Sequence, residues 1–206
     1  ELRTPLTVVV GYVETLLDSE ADMNPRWKRP LQQMQQQSSR MQSLLNDLLL
    51  LARLETSDHT SDDQYIDVKP MLESIRKDAQ ALSGEQGHQV TLEIEGNTRL
   101  HGVEGELRSA FSNLAFNAVK YTPEQGEIKL HWWSDDAGQH LSVTDNGVGV
   151  APQHLNRLTE RFYRVDSSRS TNTGGTGLGL AIVKHVLLRH QGRLEILSRL
   201  GEGSTF

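Results

Sequence analysis

The sequence predicts an α+β chain: a helical hairpin that would pair into a four-helix bundle, followed by a two-layer α/β sandwich. Three observations predict it. Apolar residues repeat at four-three spacing along one early stretch, through Trp27, Leu31, Met34, Ser38, Met41, Leu45, Leu48 and Ala52. A polar, acidic stretch without periodicity, Glu55 to Gln64, then interrupts the chain. Beyond it, short alternating segments intersperse with amphipathic ones, the pattern of helices layered on a sheet.

Composition sets bounds. The 206 residues are 36% hydrophobic and 23% charged, ordinary for a soluble chain of one domain or two small ones. A net charge of -6 speaks against a nucleic-acid partner, because the phosphate backbone rewards basic surfaces. With no cysteine, disulfides, zinc-thiolate sites and thiol catalysis are excluded. No apolar run is long enough to span a bilayer, and Leu48 to Ala52 is flanked by Asp47 and Arg53. The sequence opens without methionine and inside what reads as a helix, so a piece of a longer protein is expected, making no membrane contact itself.

In order, Leu2, Leu6, Val9, Val13 and Leu16 recur at helical spacing, with Pro5 tolerable in the first turns. Asp22 to Pro25 carries turn chemistry. The second helix follows, with Gln32 to Gln37 as its polar face. Leu44, Leu49 and Leu51 fall off the seam, which makes the apolar surface too broad for one partner helix. A homodimeric bundle would cover it, and packing against the rest of the chain is the alternative. Tyr65 to Val68 reads as a strand. Pro70 opens a helix through Met71, Leu72, Ile75, Ala79 and Leu82, ending near Gly84 or Gly87. Val90 to Ile94 alternates as a strand, and Leu107 to Tyr121 is a helix stopped by Pro123. Ile128, Leu130 and Trp132 then alternate with Lys129, His131 and Trp133, followed by a turn at Asp135 to Gly138 and a returning strand with Leu141 and Val143 inward. Sheet packing explains the two tryptophans better than base stacking does. A helix over Leu178 to His190 and a strand over Arg193 to Ser198 complete the chain.

Three stretches carry candidate chemistry. Asn113 and Asn117 are four apart and Lys120 follows on the same helical side. Two amide oxygens and an ammonium on one stripe suit a divalent cation carrying a polyphosphate, although an ordinary solvated face reads the same. Asp145-Asn146-Gly147-Val148-Gly149 follows a strand, and a helix start at Val150 to Leu155 argues against a simple hairpin. A carboxylate at a strand end, with glycines letting backbone approach, can accept the exocyclic amine of adenine. Gly174 to Lys184 enters a helix from a polar loop, where backbone amides can bind phosphate. It matches neither the dinucleotide fingerprint nor the P-loop. The breaker-rich Asp166 to Thr173 before it would make a mobile lid.

Taken together these stretches resemble the sensor histidine kinases of two-component systems. Asn113 to Pro123 resembles their N box, Asp145 to Gly149 the G1 box, Arg161 to Asp166 the F box, Gly175 to Gly179 the G2 box and Gly201 to Phe206 the final glycine motif. Glu1-Leu2-Arg3-Thr4-Pro5-Leu6-Thr7 resembles the H box after its histidine. Within the family, Leu158 to Asp166 and Thr173 to His185 resemble the phosphate-regulon sensors.

The resemblance implies a dimerisation and phosphotransfer hairpin over residues 1–56, a linker over 57–64 and a Bergerat-type ATP-binding domain over 65–206. It implies ATP and Mg2+, with Asn117 on the metal and Asn113 beside it. Lys120 and Arg164 would reach the phosphates, and Tyr121 would line the nucleotide site. Asp145 would recognise adenine with Thr205 helping through water. Gly147, Gly149, Gly175, Thr176, Gly177, Leu178 and Gly179 would shape the pocket and its lid. Glu1 would be the base that activates the phosphoacceptor imidazole, and Thr4 would orient water for dephosphorylating a partner. The implied partners are a response regulator with its receiver aspartate and a second copy of the chain. The implied place is the cytoplasmic portion of a bacterial inner-membrane sensor. The family's acceptor histidine immediately precedes the glutamate that is Glu1 here, and none of the eight histidines present replaces it. The 206 residues are therefore expected to bind ATP without phosphorylating themselves. Another ATPase, or a nucleotide-gated scaffold of the same superfamily, is the alternative.

Overall fold

The computed structural model describes residues 3–18, 25–56, 64–165 and 175–206. The turn expected at Asp22 to Pro25 falls largely outside them, as does most of the linker. Helices α1 (Arg3–Asp18) and α2 (Pro25–Thr56) pack on each other as the expected hairpin. The remainder runs β1 (Gln64–Asp67), α3 (Val68–Ser83), β2 (Gln89–Ile94), β3 (Arg99–Gly102), α4 (Glu104–Tyr121), β4 (Glu127–Asp135), β5 (Gly138–Asp145), α5 (Pro152–Leu155), α6 (Gly179–Arg189), β6 (Leu197–Arg199) and β7 (Gly203–Thr205). Five strands form one sheet in the order β2-β4-β5-β7-β6, parallel only between β2 and β4; β1 and β3 make a separate antiparallel ribbon.

Local chemistry sets the helix ends. Helix α3 starts at Val68, two residues before the proline expected to open it, because Asp67 accepts a 3.1 Å hydrogen bond from the Lys69 amide and caps the helix. Pro70 loses nothing there, since amides of the first turn have no partner within the helix. Helix α4 also begins early, with Glu104 and Glu106 in the first turn where the helix dipole favours acids. At its other end Thr122 returns a 2.7 Å bond to the Ala118 carbonyl, and the buried His88 ring donates to the Thr122 carbonyl at 3.0 Å.

One face of the sheet, with Val90, Ile128, Leu130, Trp132 and Val143, packs with α3, α4 and α6 in a single apolar cluster. Trp132 is fully buried, its indole N–H donating to the Asn97 carbonyl at 3.0 Å, while Trp133 on the other face stacks on His140 at 4.8 Å. The last strand is shorter than expected: within Arg193 to Ser198 only Leu197 and Ser198 enter the ladder, because β7 gives β6 just three partners. Strands β3 and β7, of four and three residues, escape a periodicity reading altogether.

Helix α2 divides its apolar surface. Leu51 is 2% exposed and Leu54 is buried, both within the cluster of the α/β part, with Leu44 and Leu50 packed against them. The chain itself therefore covers two of the three leucines that lie off the seam. On the seam, Met41 and Leu48 stay 58% and 41% exposed. Leu51→Ala is expected to lower the unfolding free energy by about 2–5 kcal/mol at any protein concentration. Leu48→Ala should cost well under ~1 kcal/mol in a lone chain. Urea unfolding at two concentrations checks this, and a Leu48 cost that grows with concentration marks a second copy seated on that face.

Candidate functional site

The C-terminal half of α4 is buried on one side through Leu114, Ala115, Ala118 and Val119 and presents Asn113, Asn117 and Lys120 on the other. The Asn113 amide donates to the Ser109 carbonyl at 2.9 Å. Its oxygen lies where a Cβ on Gly179, the first residue of α6, would come within 2.5 Å, so only glycine lets the two helices approach here. Asn117 is half-buried, and its amide has no protein partner among the described residues. Lys120 is also half-buried, its ammonium 5.1 Å from the Tyr121 ring centroid. Burial first, then the charges of Arg164 and Arg40, hold its pKa down to about 8. No carboxylate pairs with it among the described residues.

Asp145 ends β5 at 6% exposure and accepts the Gly147 amide at 2.8 Å. Burial raises its pKa against the lowering effect of the Gly147 and Ser204 amides. Gly147 stands against the Tyr121 carbonyl, where a Cβ would collide, and the Val148 amide donates to that carbonyl at 3.0 Å. The first glycine segment is thus stitched to the end of α4. Gly149 has a different duty: at φ +63° it abuts the Arg199 carbonyl and fits the turn against β6, with no opening toward Lys120 required of it.

The second glycine segment closes on the same helix. The Arg164 guanidinium donates to the Gly175 carbonyl at 2.8 Å, and a Cβ on Gly175 would collide with the Lys120 ammonium. Gly177, at φ +74°, accepts the Phe162 amide at 2.8 Å, which ties the F-box stretch to this segment. Leu178 is fully buried, so its side chain anchors the start of α6 and only its backbone faces outward chemistry. Thr176 accepts the Leu178 amide at 3.2 Å and donates to Asp47 at 3.0 Å. Asp47 belongs to α2. Desolvation raises its pKa more than the threonine lowers it. One helical stretch further, Glu55 pairs with Arg161 and lies 3.7 Å from the His185 ring.

The structure therefore brings Asn113, Asn117, Lys120, Tyr121, Asp145, Gly147, Arg164 and Gly175 to Gly179 around the end of α4. It does not bring Thr205 to Asp145. In the β5–β7 register Thr205 pairs with Thr144 and their hydroxyls lie 3.1 Å apart, on the sheet face away from Asp145. Ser204 is the residue opposite Asp145, and its amide donates toward that carboxylate. The signal was available in the alternation of β5 once β7 was recognised as its neighbour. Glu1 and the Thr4 side chain lie outside the described residues, as does the lid stretch Asp166 to Thr173.

The donor set fits a polyphosphate with a hard cation. Among the described residues, Lys120 and Arg164 meet at Gly175 with no carboxylate paired to Lys120, and the Asn117 amide on the same helical stripe has no partner and offers oxygen. A hard divalent ion held through one protein oxygen and substrate phosphates needs no more.

Residues 102–206 match the family described as histidine kinase-, DNA gyrase B-, and HSP90-like ATPase, and residues 1–57 match the His Kinase A (phospho-acceptor) domain. The phosphate regulon sensor protein PhoR of Pseudomonas aeruginosa is 66% identical over the whole chain, which covers 46% of that relative. Its namesake in Haemophilus influenzae is 47% identical, with 48% of its length covered. The chain thus spans about half the length of the curated relatives it matches. The solved structure of full-length ShkA in complex with AMPPNP aligns at TM-score 0.82 and 29% identity, covering 100% of this chain and 42% of that one. The mycobacterial sensor histidine kinase MprB aligns at TM-score 0.60 and 26% identity over 69% of this chain and 93% of its own.

The glycines separate in a stability measurement. Gly149→Ala forces a left-handed residue against backbone and is expected to cost more than ~1 kcal/mol in thermal unfolding. Gly175→Ala meets only the mobile tip of Lys120 and should leave the melting temperature within a degree or two, about the scale of a surface change.

Proposed function

The chain belongs to the sensor histidine kinases, and on that premise we propose that it is the ATP-dependent catalytic core of a phosphate-regulon type of sensor. The observation that carries this reading is the convergence of Lys120 and Arg164 on Gly175, with the Asn117 amide unpartnered among the described residues and Asp145 anchored at the other end of the same stitched loop. In this reading Asp145 accepts the adenine amine, with Ser204 beside it. Lys120 and Arg164 hold the phosphates and Asn117 holds Mg2+. The ion, when bound, neutralises charge on the phosphates as the terminal group departs. Tyr121 lines the cavity mouth, and Gly175 to Gly179 bring the start of α6 to the phosphates.

The reaction proposed is phosphoryl transfer from ATP to a histidine nitrogen. The bond to the bridging oxygen of ADP breaks as the nitrogen–phosphorus bond forms, with Glu1 taking the imidazole proton. Transfer to a response-regulator aspartate follows, and Thr4 serves dephosphorylation of that regulator. Residues 1–56 dimerise, 57–64 link, and 65–206 bind the nucleotide. Among the described residues no helix is long and apolar enough to cross a membrane; we place the chain on the cytoplasmic side of a membrane-anchored sensor.

Adenine recognition is tested with Asp145→Asn. The amide presents a donor where an acceptor is required, so calorimetry should show at least about tenfold weaker ATP binding with the fold retained. Unchanged affinity would remove Asp145 from the site.

The phosphate end is tested by pH. Lys120 holds phosphate only while protonated, and its pKa without ligand is about 8. Affinity should therefore be full near neutrality and fall as pH rises through that value, with binding taking up a proton above it. Lys120→Arg, charged throughout, should flatten the profile. A profile that rises with pH contradicts the assignment.

Chemistry is separated from binding by labelling. A polypeptide of these 206 residues should bind Mg-ATP yet gain no acid-labile phosphate, because none of its histidines stands before a Glu-Leu-Arg-x-Pro run. The same polypeptide with histidine placed before Glu1, on enough helix to hold it, should gain label. Robust label on the unextended polypeptide would move the acceptor to one of its own histidines.

A further inference from the structure

Helix α2 carries a second face that the dimer seam does not use. Arg40, Leu44, Asp47, Leu51 and Leu54 repeat at four-three spacing and all turn toward the α/β part. Leu44, Leu51 and Leu54 pack on its core, and Asp47 accepts the Thr176 hydroxyl at 3.0 Å. Arg40 stands seven residues before Asp47, two turns up the same face and about 10 Å along the axis. Thr176 is next in sequence to Gly175, where Arg164 donates to the carbonyl at 2.8 Å and Lys120 abuts the α-carbon. Arg40 is half-buried, and no carboxylate partners it among the described residues. It lies close enough to Lys120 to disfavour the lysine's charge. Lys120 and Arg164 thus meet at one glycine segment, and Arg40 comes near Lys120 from α2. Asp47, the acid that reaches this segment among the described residues, is already engaged with Thr176. Like charges gathered without a counter-ion are repulsive until an anion enters.

We propose that Arg40, carried by the helical hairpin, is a third phosphate-binding cation of the nucleotide site, so that bound polyphosphate bridges the hairpin and the ATP-binding part of the chain. The inference rests on the ATP-binding reading above and adds to it a residue from outside the nucleotide-binding motifs. A guanidinium presents paired donors to phosphate oxygens, which suits a bridging contact better than a point charge would. Its consequence is that nucleotide and docking of α2 favour each other by the same factor.

Calorimetry with AMPPNP, ADP and AMP, each with Mg2+, tests this on the whole chain with Arg40→Gln and Arg40→Lys. Arg40→Gln should weaken AMPPNP and ADP about tenfold, the scale of one charge-assisted hydrogen bond, and leave AMP unchanged. Arg40→Lys should recover part of the loss. An effect confined to AMPPNP also supports the proposal and places Arg40 on the terminal phosphate. Equal weakening of all three ligands, or of none, overturns it, because then Arg40 acts only through the fold or not at all. If the unaltered chain binds none of the three, the ATP-binding reading itself fails. If it binds them and Arg40→Gln changes nothing, only the bridging role falls.

Discussion

Helix α4 has to be core and site along the same 18 residues. Leu107, Phe111, Leu114, Ala118 and Val119 are buried against the sheet and the neighbouring helices, each large one contributing about 1.5–3 kcal/mol by leaving water. Asn113, Asn117 and Lys120 lie between those positions and share the remaining stripe. Because the apolar side fixes the helix's rotation, it also fixes where the polar stripe points. The last turn is then pinned at its carbonyls: Val148 donates to Tyr121 and His88 to Thr122. The two bonds resist rotation of the helix end, which keeps Asn117 and Lys120 in place on its polar stripe.

That rigidity sets the electrostatics. Lys120 is kept half-buried by a helix that cannot move to solvate it, next to an arginine that the Gly175 carbonyl holds in position. Desolvation and like charge both disfavour its ammonium, and a cation with no carboxylate partner among the described residues is unfavourable in such a place until an anion arrives. Asp145 is the mirror case at the other end, a carboxylate held in by two backbone amides yet still strained by burial. The site stores opposite unmet demands at its two ends, as expected of a cleft for a ligand with a polar base at one end and phosphates at the other.

The sequence made the long periodic elements legible and left the short ones hidden. Helices α2, α3, α4 and α6 announce themselves through spacing, and the β4–β5 hairpin through alternation around Asp135 to Gly138. Strand β7 has only three residues, two of them small, so no period can form; its existence depends on β5 and β6 offering edges. Missing it hid Ser204 as the residue opposite Asp145 in the ladder. The glycine segments were legible as close approaches, but not what each approaches. Gly147 and Gly179 serve close approaches to α4, at Tyr121 and Asn113, while Gly149 serves the β6 turn, and only tertiary contacts distinguish these duties.

The same limit explains α2. A heptad seam is visible in sequence because one period dominates it, whereas the second face mixes Arg40 and Asp47 with leucines and reads as noise on the polar side. Its energetics divide by kind. Ion pairs at the surface, such as Glu55 with Arg161, contribute roughly 0–1 kcal/mol each. Leu51 and Leu54 each contribute about 1.5–3 kcal/mol through burial. Apolar contact therefore supplies most of the docking, and the polar pairs select its register. A docking held by a few leucines and aligned by single polar contacts is strong enough to persist and weak enough to be biased. One or two phosphate contacts carry energies of the same size, so in the bridging proposed above a nucleotide at the Gly175 end of this face would shift how firmly the hairpin is held.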